Sequence, residues 1–243
     1  MLVKSKVKYI QSLSHKKQRD IDGVFVAEGP KIINELLGEE GVELVELYAL
    51  KEIMGFLTGA DPSRIFETDS RSLEKISFLS TPHQVLGIFK KREMAPLHFK
   101  GRVSLMLDNI QDPGNMGSIV RCADWFGISQ IICSRDCADL FGPKTVQSTM
   151  GSIARVNVLY GDLPALLEAN KETCAYAATL AGRNLYEIKE ITEGIIVIGN
   201  ESKGISKEIL SLVNSEITIP RKGSAESLNA AVATGIILSH LLK

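Results

Sequence analysis

Asp112-Pro113-Gly114-Asn115 and, one helical turn beyond Gly117, Arg121 make the densest run of chemically capable side chains in this 243-residue sequence. The apolar run Val103–Leu107 precedes them and Gly127 follows. Pro fixes φ, Gly permits φ > 0 and Asn caps helices. The segment therefore reads as strand, tight turn and helix, with Asn115 as the cap and Ile119, Val120 and Ala123 as the helix's apolar face. Gly127 stands where a helix-ending Gly belongs. Turn chemistry does not explain the crowding of polar side chains or the single guanidinium. In open α/β sheets, ligands bind beyond the carboxyl ends of the strands, where this loop falls. A guanidinium placed there can grip a phosphate or carboxylate through two parallel hydrogen bonds.

Two later segments repeat the arrangement. Gly194–Gly199 is fully apolar and runs into Asn200-Glu201, with Ser206 placed to cap another helix. Glu201 follows a buried strand, a poor place for a solvated charge, so it is expected to fix Arg121 or Asn229. Ile217-Thr218-Ile219 is stopped by Pro220 and leads through a basic, Gly-containing loop to Ser227-Leu228-Asn229 and a small-residue helix. Ser227 reads as the cap of that last helix. Ser227 and Asn229 would then lie in its first turn, where N–H groups and the helix dipole favour polar ligands.

The elements that must hold these loops follow from periodicity. From Val103 onward strands are expected at Val103–Leu107, Gln130–Cys133, Thr173–Ala178, Ile195–Gly199 and Glu216–Ile219. Helices are expected to begin near Asn115, Pro143, Leu163, Ser206 and Ser227. That alternation predicts an α/β fold: a mostly parallel sheet with helices on both faces. Residues 1–90 read as a smaller α/β region, with strands at 24–27, 42–49 and 84–89 and helices over 30–37 and 69–76. Lys90–Arg102, with Pro96 and Gly101, has linker character. We therefore expect two domains, 1–98 and 99–243.

Composition excludes more than it assigns. With 28 Lys and Arg against 29 Asp and Glu, whole-surface attraction to nucleic acid is excluded, so any such binding must be local. Lys4, Lys6, Lys8, His15, Lys16, Lys17 and Arg19 all precede the first acidic residue, Asp20. This basic arm reads equally as a solvated tail or as an RNA contact. Cys122, Cys133, Cys137 and Cys174 form no Cys-x-x-Cys pair and the four histidines are scattered, so no metal site is expected and the cysteines are expected free in a reducing cytoplasm. No run has the length of a membrane span. The glycine fingerprint of dinucleotide-binding folds is missing, which weakens a reading as an NAD-binding enzyme.

Taken in order, the three segments resemble the sequence motifs of the SpoU (TrmH-type) family of RNA ribose 2′-O-methyltransferases, in the SPOUT superfamily. The family pattern is Asp-Pro-x-Asn-x-Gly with a following Arg and Phe-Gly, then Ile-Gly-x-Glu-x-x-Gly, then Ile-Pro and Ser-Leu-Asn before a C-terminal helix. The motif-level resemblance covers residues 103–243. A weaker one, over Gly23–Gly29 and Lys31–Leu37, is to the substrate-binding domain many members carry, a small α/β domain of ribosomal-protein type.

The resemblance implies a trefoil-knotted catalytic domain, a homodimer, S-adenosylmethionine as cofactor with S-adenosylhomocysteine as product, and RNA as partner, ribosomal RNA ahead of transfer RNA. It implies catalytic or orienting roles for Asn115, Arg121, Glu201, Ser227 and Asn229. Arg121 would act either as the base proposed for the family or as a hold on the adjoining phosphate. The cofactor slot would be made by Thr179, Leu180, Ile198, Gly199, Asn200, Ile219, Pro220 and Leu228. For Leu180 and Leu228 plain core packing is the competing reading. Lys144 and Arg155, in and beside the segment Gln147–Arg155, are candidate phosphate contacts. A non-catalytic RNA-binding protein of the same fold is the other functional reading, opposed by the intact polar positions.

Overall fold

The computed structural model describes residues 2–242. The chain runs α1 (Lys4–Ser12), α2 (Lys16–Asp22), β1 (Val24–Glu28), α3 (Pro30–Gly38), β2 (Leu44–Ala49), β3 (Ile65–Glu67), α4 (Ser70–Ile76) and β4 (Val85–Lys90). It continues with β5 (Val103–Asp108), α5 (Pro113–Trp125), β6 (Gln130–Cys133), α6 (Pro143–Thr149), β7 (Asn157–Tyr160), α7 (Leu163–Ala169) and β8 (Ala175–Asn184). It ends with β9 (Gly194–Gly199), α8 (Lys207–Leu210), β10 (Ser215–Thr218) and α9 (Ala230–Leu241). Two compact units result. One holds the residues up to Glu93 together with Asp139–Arg155; the other holds Met94–Ala138 and the chain from Val156 on.

The first unit is built on a four-stranded sheet in the order β1-β4-β2-β3. β4 is antiparallel to β1 and β2, and β2 is parallel to β3. Successive side chains of a strand face opposite sides. Val24 and Val26 accordingly join Ile10, Leu13, Leu73 and Ile76 in one buried cluster. Phe25, on the other face, stacks on Phe89 at 5.7 Å and meets Phe141 at 5.3 Å. Phe141 leads into α6, which packs on β1 although it lies far along the chain.

The basic N-terminal arm is a pair of helices here, and Lys6 and Arg19 are engaged by the protein itself. Lys6 pairs with Glu46 at 2.7 Å. Arg19 is buried, donating to the carbonyls of Leu13 and Ser14 and pairing with Asp139. Arg155 is likewise committed, to Glu35 at 3.1 Å and to Glu39.

The second unit is a six-stranded sheet, order β10-β8-β9-β5-β6-β7, with every pairing parallel. Parallel strands buried on both faces read as continuous apolar runs, as Gly194–Gly199 does. Met106, Ile132, Ile195 and Val197 point to one face, against Leu163, Leu167 and Ile209 of α7 and α8. Leu105, Leu107, Ile196 and Ile198, the alternate set, are also buried. α5 and α9 pack on each other. β7, a four-residue edge strand, was not expected from the sequence.

Candidate functional site

The three motif segments meet at the carboxyl ends of β5 and β9, which are neighbours, and beside the loop after β10. Asp112, not Asn115, caps α5: its side chain accepts the Asn115 N–H at 2.8 Å, and Pro113 takes the first helical position. Relieved of capping, the Asn115 side chain donates to Glu201 Oε1. Its own Oδ1 accepts from Asn229 Nδ2 at 2.7 Å. Asn229, not Ser227, caps α9, with its Oδ1 accepting from the N–H groups of Ala231 and Val232. Glu201, Asn115 and Asn229 thus form one directed chain of hydrogen bonds. Ser227 lies outside α9 and is exposed. Ser206 precedes α8 in the cap position without a side-chain cap bond.

Glu201 therefore holds neither expected partner: it fixes Asn115 and reaches Asn229 only through it. Arg121 is exposed on α5 and forms no ion pair with Asp124 or Glu201 among the described residues. Its charge is felt by Cys122, whose thiol is pushed up by burial and only partly drawn back by the guanidinium.

All eight expected slot residues, Thr179, Leu180, Ile198, Gly199, Asn200, Ile219, Pro220 and Leu228, line a single cavity of about 660 Å³, together with Glu201 and Ser227. Asn115, Arg121 and Asn229 are not part of its lining. Leu180 and Leu228 are 75% and 44% exposed, so core packing does not account for them. The Thr179 Oγ1 is buried and makes no hydrogen bond among the described residues.

Two glycines shape this cavity through the protein's own backbone. β10 pairs with Tyr176 and Ala177 of β8 and next with Arg183 and Asn184. Residues 178–182 leave the ladder in between, and Ala178 to Ala181 line the cavity. A Cβ on Gly182 would lie 2.4 Å from the Glu216 carbonyl carbon, so only Gly lets the strands close up again. Gly199 was expected to let a ligand approach. Its missing Cβ instead makes room for the turn at Gly204-Ile205, with contacts of 2.5–2.6 Å if it were present.

Sequence reasoning missed the residues that anchor the Glu201 loop. Asp108, a buried carboxylate at the end of β5, accepts the Ser206 N–H at 2.8 Å. Asn109 has φ of 60°, and its carbonyl accepts from Asn200 Nδ2 at 2.9 Å. An Asn directly after a strand was the available signal, since Asn is enriched at positive φ. Among the described residues no group of three or more His, Cys, Asp and Glu is placed to hold a metal ion, and the four cysteines are unbridged.

A model of the SpoU rRNA Methylase family matches residues 102–239, and one of the MRM3-like substrate binding domain matches residues 4–87. The chain belongs to the SpoU rRNA methylase family. It is 28% identical to the 23S rRNA (guanosine(2553)-2'-O)-methyltransferase RlmP of Bacillus subtilis, over 97% of this chain and 95% of that one. An AdoMet-bound rRNA methyltransferase from Sinorhizobium meliloti superposes with a TM-score of 0.85 at 30% identity, covering 98% of this chain and 94% of that one. A TrmH-family structure from Porphyromonas gingivalis gives 0.87 at 34% identity, covering 98% and 97%.

Proposed function

We propose that the protein methylates a ribose 2′-hydroxyl of RNA with S-adenosylmethionine, and that ribosomal RNA is its substrate ahead of transfer RNA. The observation that carries this is the cavity of about 660 Å³, lined from three separated segments and adjoining the Glu201–Asn115–Asn229 chain. The relatives named for rRNA methylation, one of them AdoMet-bound, support it.

The lining fits the cofactor. Apolar side chains at Leu180, Ile198, Ile219 and Leu228 suit an adenine face. The orphaned Thr179 hydroxyl offers a hydrogen bond that no group among the described residues satisfies. When bound, the cofactor supplies an electrophilic methyl group; the protein's part is to hold the hydroxyl in line with it. Arg121, exposed and without an ion pair among the described residues, is assigned to the phosphate next to the target ribose.

Residues 1–98 are assigned to RNA binding, with Lys4, Lys8 and Lys17 exposed on the two N-terminal helices. The catalytic domain is assigned to 99–243, knotted where the chain passes from β10 through Ile219–Asn229 to α9. Cytoplasmic action and a homodimer complete the reading. Among the described residues no helix is long and apolar enough to cross a membrane. Trp125 at 82% and Val232 at 51% exposure, on the mutually packed α5 and α9, support pairing through these helices. Sedimentation at micromolar concentration should give twice the 26.6 kDa chain mass; a monomer that transfers methyl groups would remove the dimer as a requirement.

Calorimetry with S-adenosylhomocysteine and with NAD tests the site, since only the first should bind. Mass-spectrometric mapping of ribose methylation in a strain lacking the protein tests the substrate. A full set of ribosomal-RNA ribose methylations in that strain would refute the assignment to ribosomal RNA.

A further inference from the structure

We propose that the Glu201 carboxylate takes the proton from the ribose hydroxyl, with Arg121 confined to holding phosphate. This deepens the reaction assigned above and rests on it. A guanidinium has no acceptor lone pair and stays protonated, with a pKa above about 12, so it is poorly made to receive a proton. A carboxylate, with free lone pairs on its oxygens, is well made for the task.

Three features single out Glu201. Its Oε1 is held by Asn115, while Oε2 has no hydrogen-bond partner and no cation pairs with the group among the described residues. Of the carboxylates lining the cavity, Glu201, Glu216 and Glu226, it alone is fixed by a side-chain hydrogen bond among the described residues. The loop that carries it is pinned at both ends, by Asp108 at Ser206 and by Asn109 at Asn200.

The polarity of the chain is also determined. The N–H groups of Ala231 and Val232 require an acceptor, so Asn229 turns its Oδ1 to them and its Nδ2 to Asn115. Asn115 must then accept with Oδ1 and present its Nδ2 to Glu201. The first turn of α9 thus sets the orientation of two amides and makes Glu201 an acceptor at Oε1, leaving Oε2 unengaged among the described residues.

The step balances. A bond forms from the ribose oxygen to the methyl carbon, and the carbon–sulfur bond breaks with its electron pair going to sulfur, which becomes a neutral thioether. The hydroxyl proton passes to Glu201 Oε2, giving a neutral carboxylic acid that later returns it to water. A positive and a negative charge disappear together, a change that a site shielded from water favours.

Glu201→Gln separates this role from a structural one, because the amide oxygen can still accept from Asn115 while the other end cannot take a proton. Single-turnover methyl transfer to RNA at saturating cofactor should fall at least about 100-fold, in the range general bases supply. S-adenosylhomocysteine affinity, measured by calorimetry, should stay within about threefold of wild type. Turnover within about tenfold of wild type would overturn the proposal. Should this variant lose S-adenosylhomocysteine, Glu201→Ala is assayed with added formate and with chloride at equal ionic strength. Rescue by formate alone supports the proposal; equal rates overturn it. A wild-type protein that binds no S-adenosylhomocysteine and methylates no RNA would instead bring down the reaction assignment.

Discussion

Gly199→Ala tests whether the cavity depends on a backbone contact that only glycine permits. The added methyl group would sit 2.5 Å from the Gly204 carbonyl carbon and 2.6 Å from the Ile205 nitrogen and Cγ1. Carbon atoms pack best at about 3.5–4.0 Å, so the turn must retreat by about 1 Å. Retreat strains the paired hydrogen bonds between Asn200 and Gly204, at 3.1 and 2.9 Å, and lifts the buried Ile205. Overpacking of this kind costs about 1–3 kcal/mol. Each weakened hydrogen bond adds about 1 kcal/mol. A total near 3 kcal/mol corresponds to a fall in Tm of about 6–12 °C for a chain of this size.

The same retreat displaces Asn200 and Glu201, which line the cavity, so S-adenosylhomocysteine should bind at least about tenfold more weakly, about 1.4 kcal/mol. Gly235→Ala is the control. Its Cβ would meet only Cys122 Sγ at 3.8 Å, an ordinary contact inside α9, and alanine should raise stability by up to about 1 kcal/mol. Thermal melts and calorimetry on both variants decide the matter. A Gly199→Ala protein melting within 2 °C of wild type and binding within about threefold would refute the reasoning.

Arg121→Ala should nearly abolish methyl transfer with S-adenosylhomocysteine affinity changed less than a few-fold, and Arg121→Lys should also be poor because lysine cannot reproduce a planar two-bond grip. Near-wild-type turnover by the lysine variant would rule that grip out. Asn229→Ala removes the α9 cap, a loss of about 1 kcal/mol. Asn229→Asp keeps the cap but not the donor to Asn115, so stability should recover while turnover does not; full turnover would contradict a positioning role for the amide. Arg19→Met leaves two carbonyls and the half-buried Asp139 carboxylate without their guanidinium, a loss of about 3 kcal/mol, the low end for breaking a buried pair. A melting shift under 2 °C would show the pair to be dispensable.

What the sequence made legible was local. Gln130–Cys133 was expected as a strand, and helix starts near Pro143 and Leu163 were expected from the alternation of elements; the structure has all three. The cap of α5 was misassigned although the signal was present. Pro113 favours the first helical position, which makes Asp112 the cap and frees Asn115. The N-terminal helices were hidden by charge: a string of lysines suggested a tail, while Val7, Ile10 and Leu13 already carried helical spacing toward the core. β7 escaped because a four-residue edge strand is held by a neighbour far along the chain rather than by its own pattern. The detour of β8 at residues 178–182 depends on how close Gly182 comes to β10, and periodicity carries no such information.

The site was legible as a set of residues and not as a set of contacts. The motif residues were named by resemblance, but Glu201 and Asn115 lie 86 positions apart and Asn115 and Asn229 lie 114 apart. No local rule states which amide faces which carboxylate. The fold supplies that information by placing β5 beside β9 and packing α9 on α5, so that the α9 cap also orients Asn115. A cap and an orienting group are then the same side chain. This explains why Asn229 occupies a position where Ser or Asp would also cap: an amide accepts from the helix with its oxygen and donates onward with a separate atom, its nitrogen. Arg121 stands outside that economy, bound to none of these groups among the described residues. In the proposed reading the anion that satisfies it arrives with the substrate, while the cavity and its carboxylate are set by the protein alone.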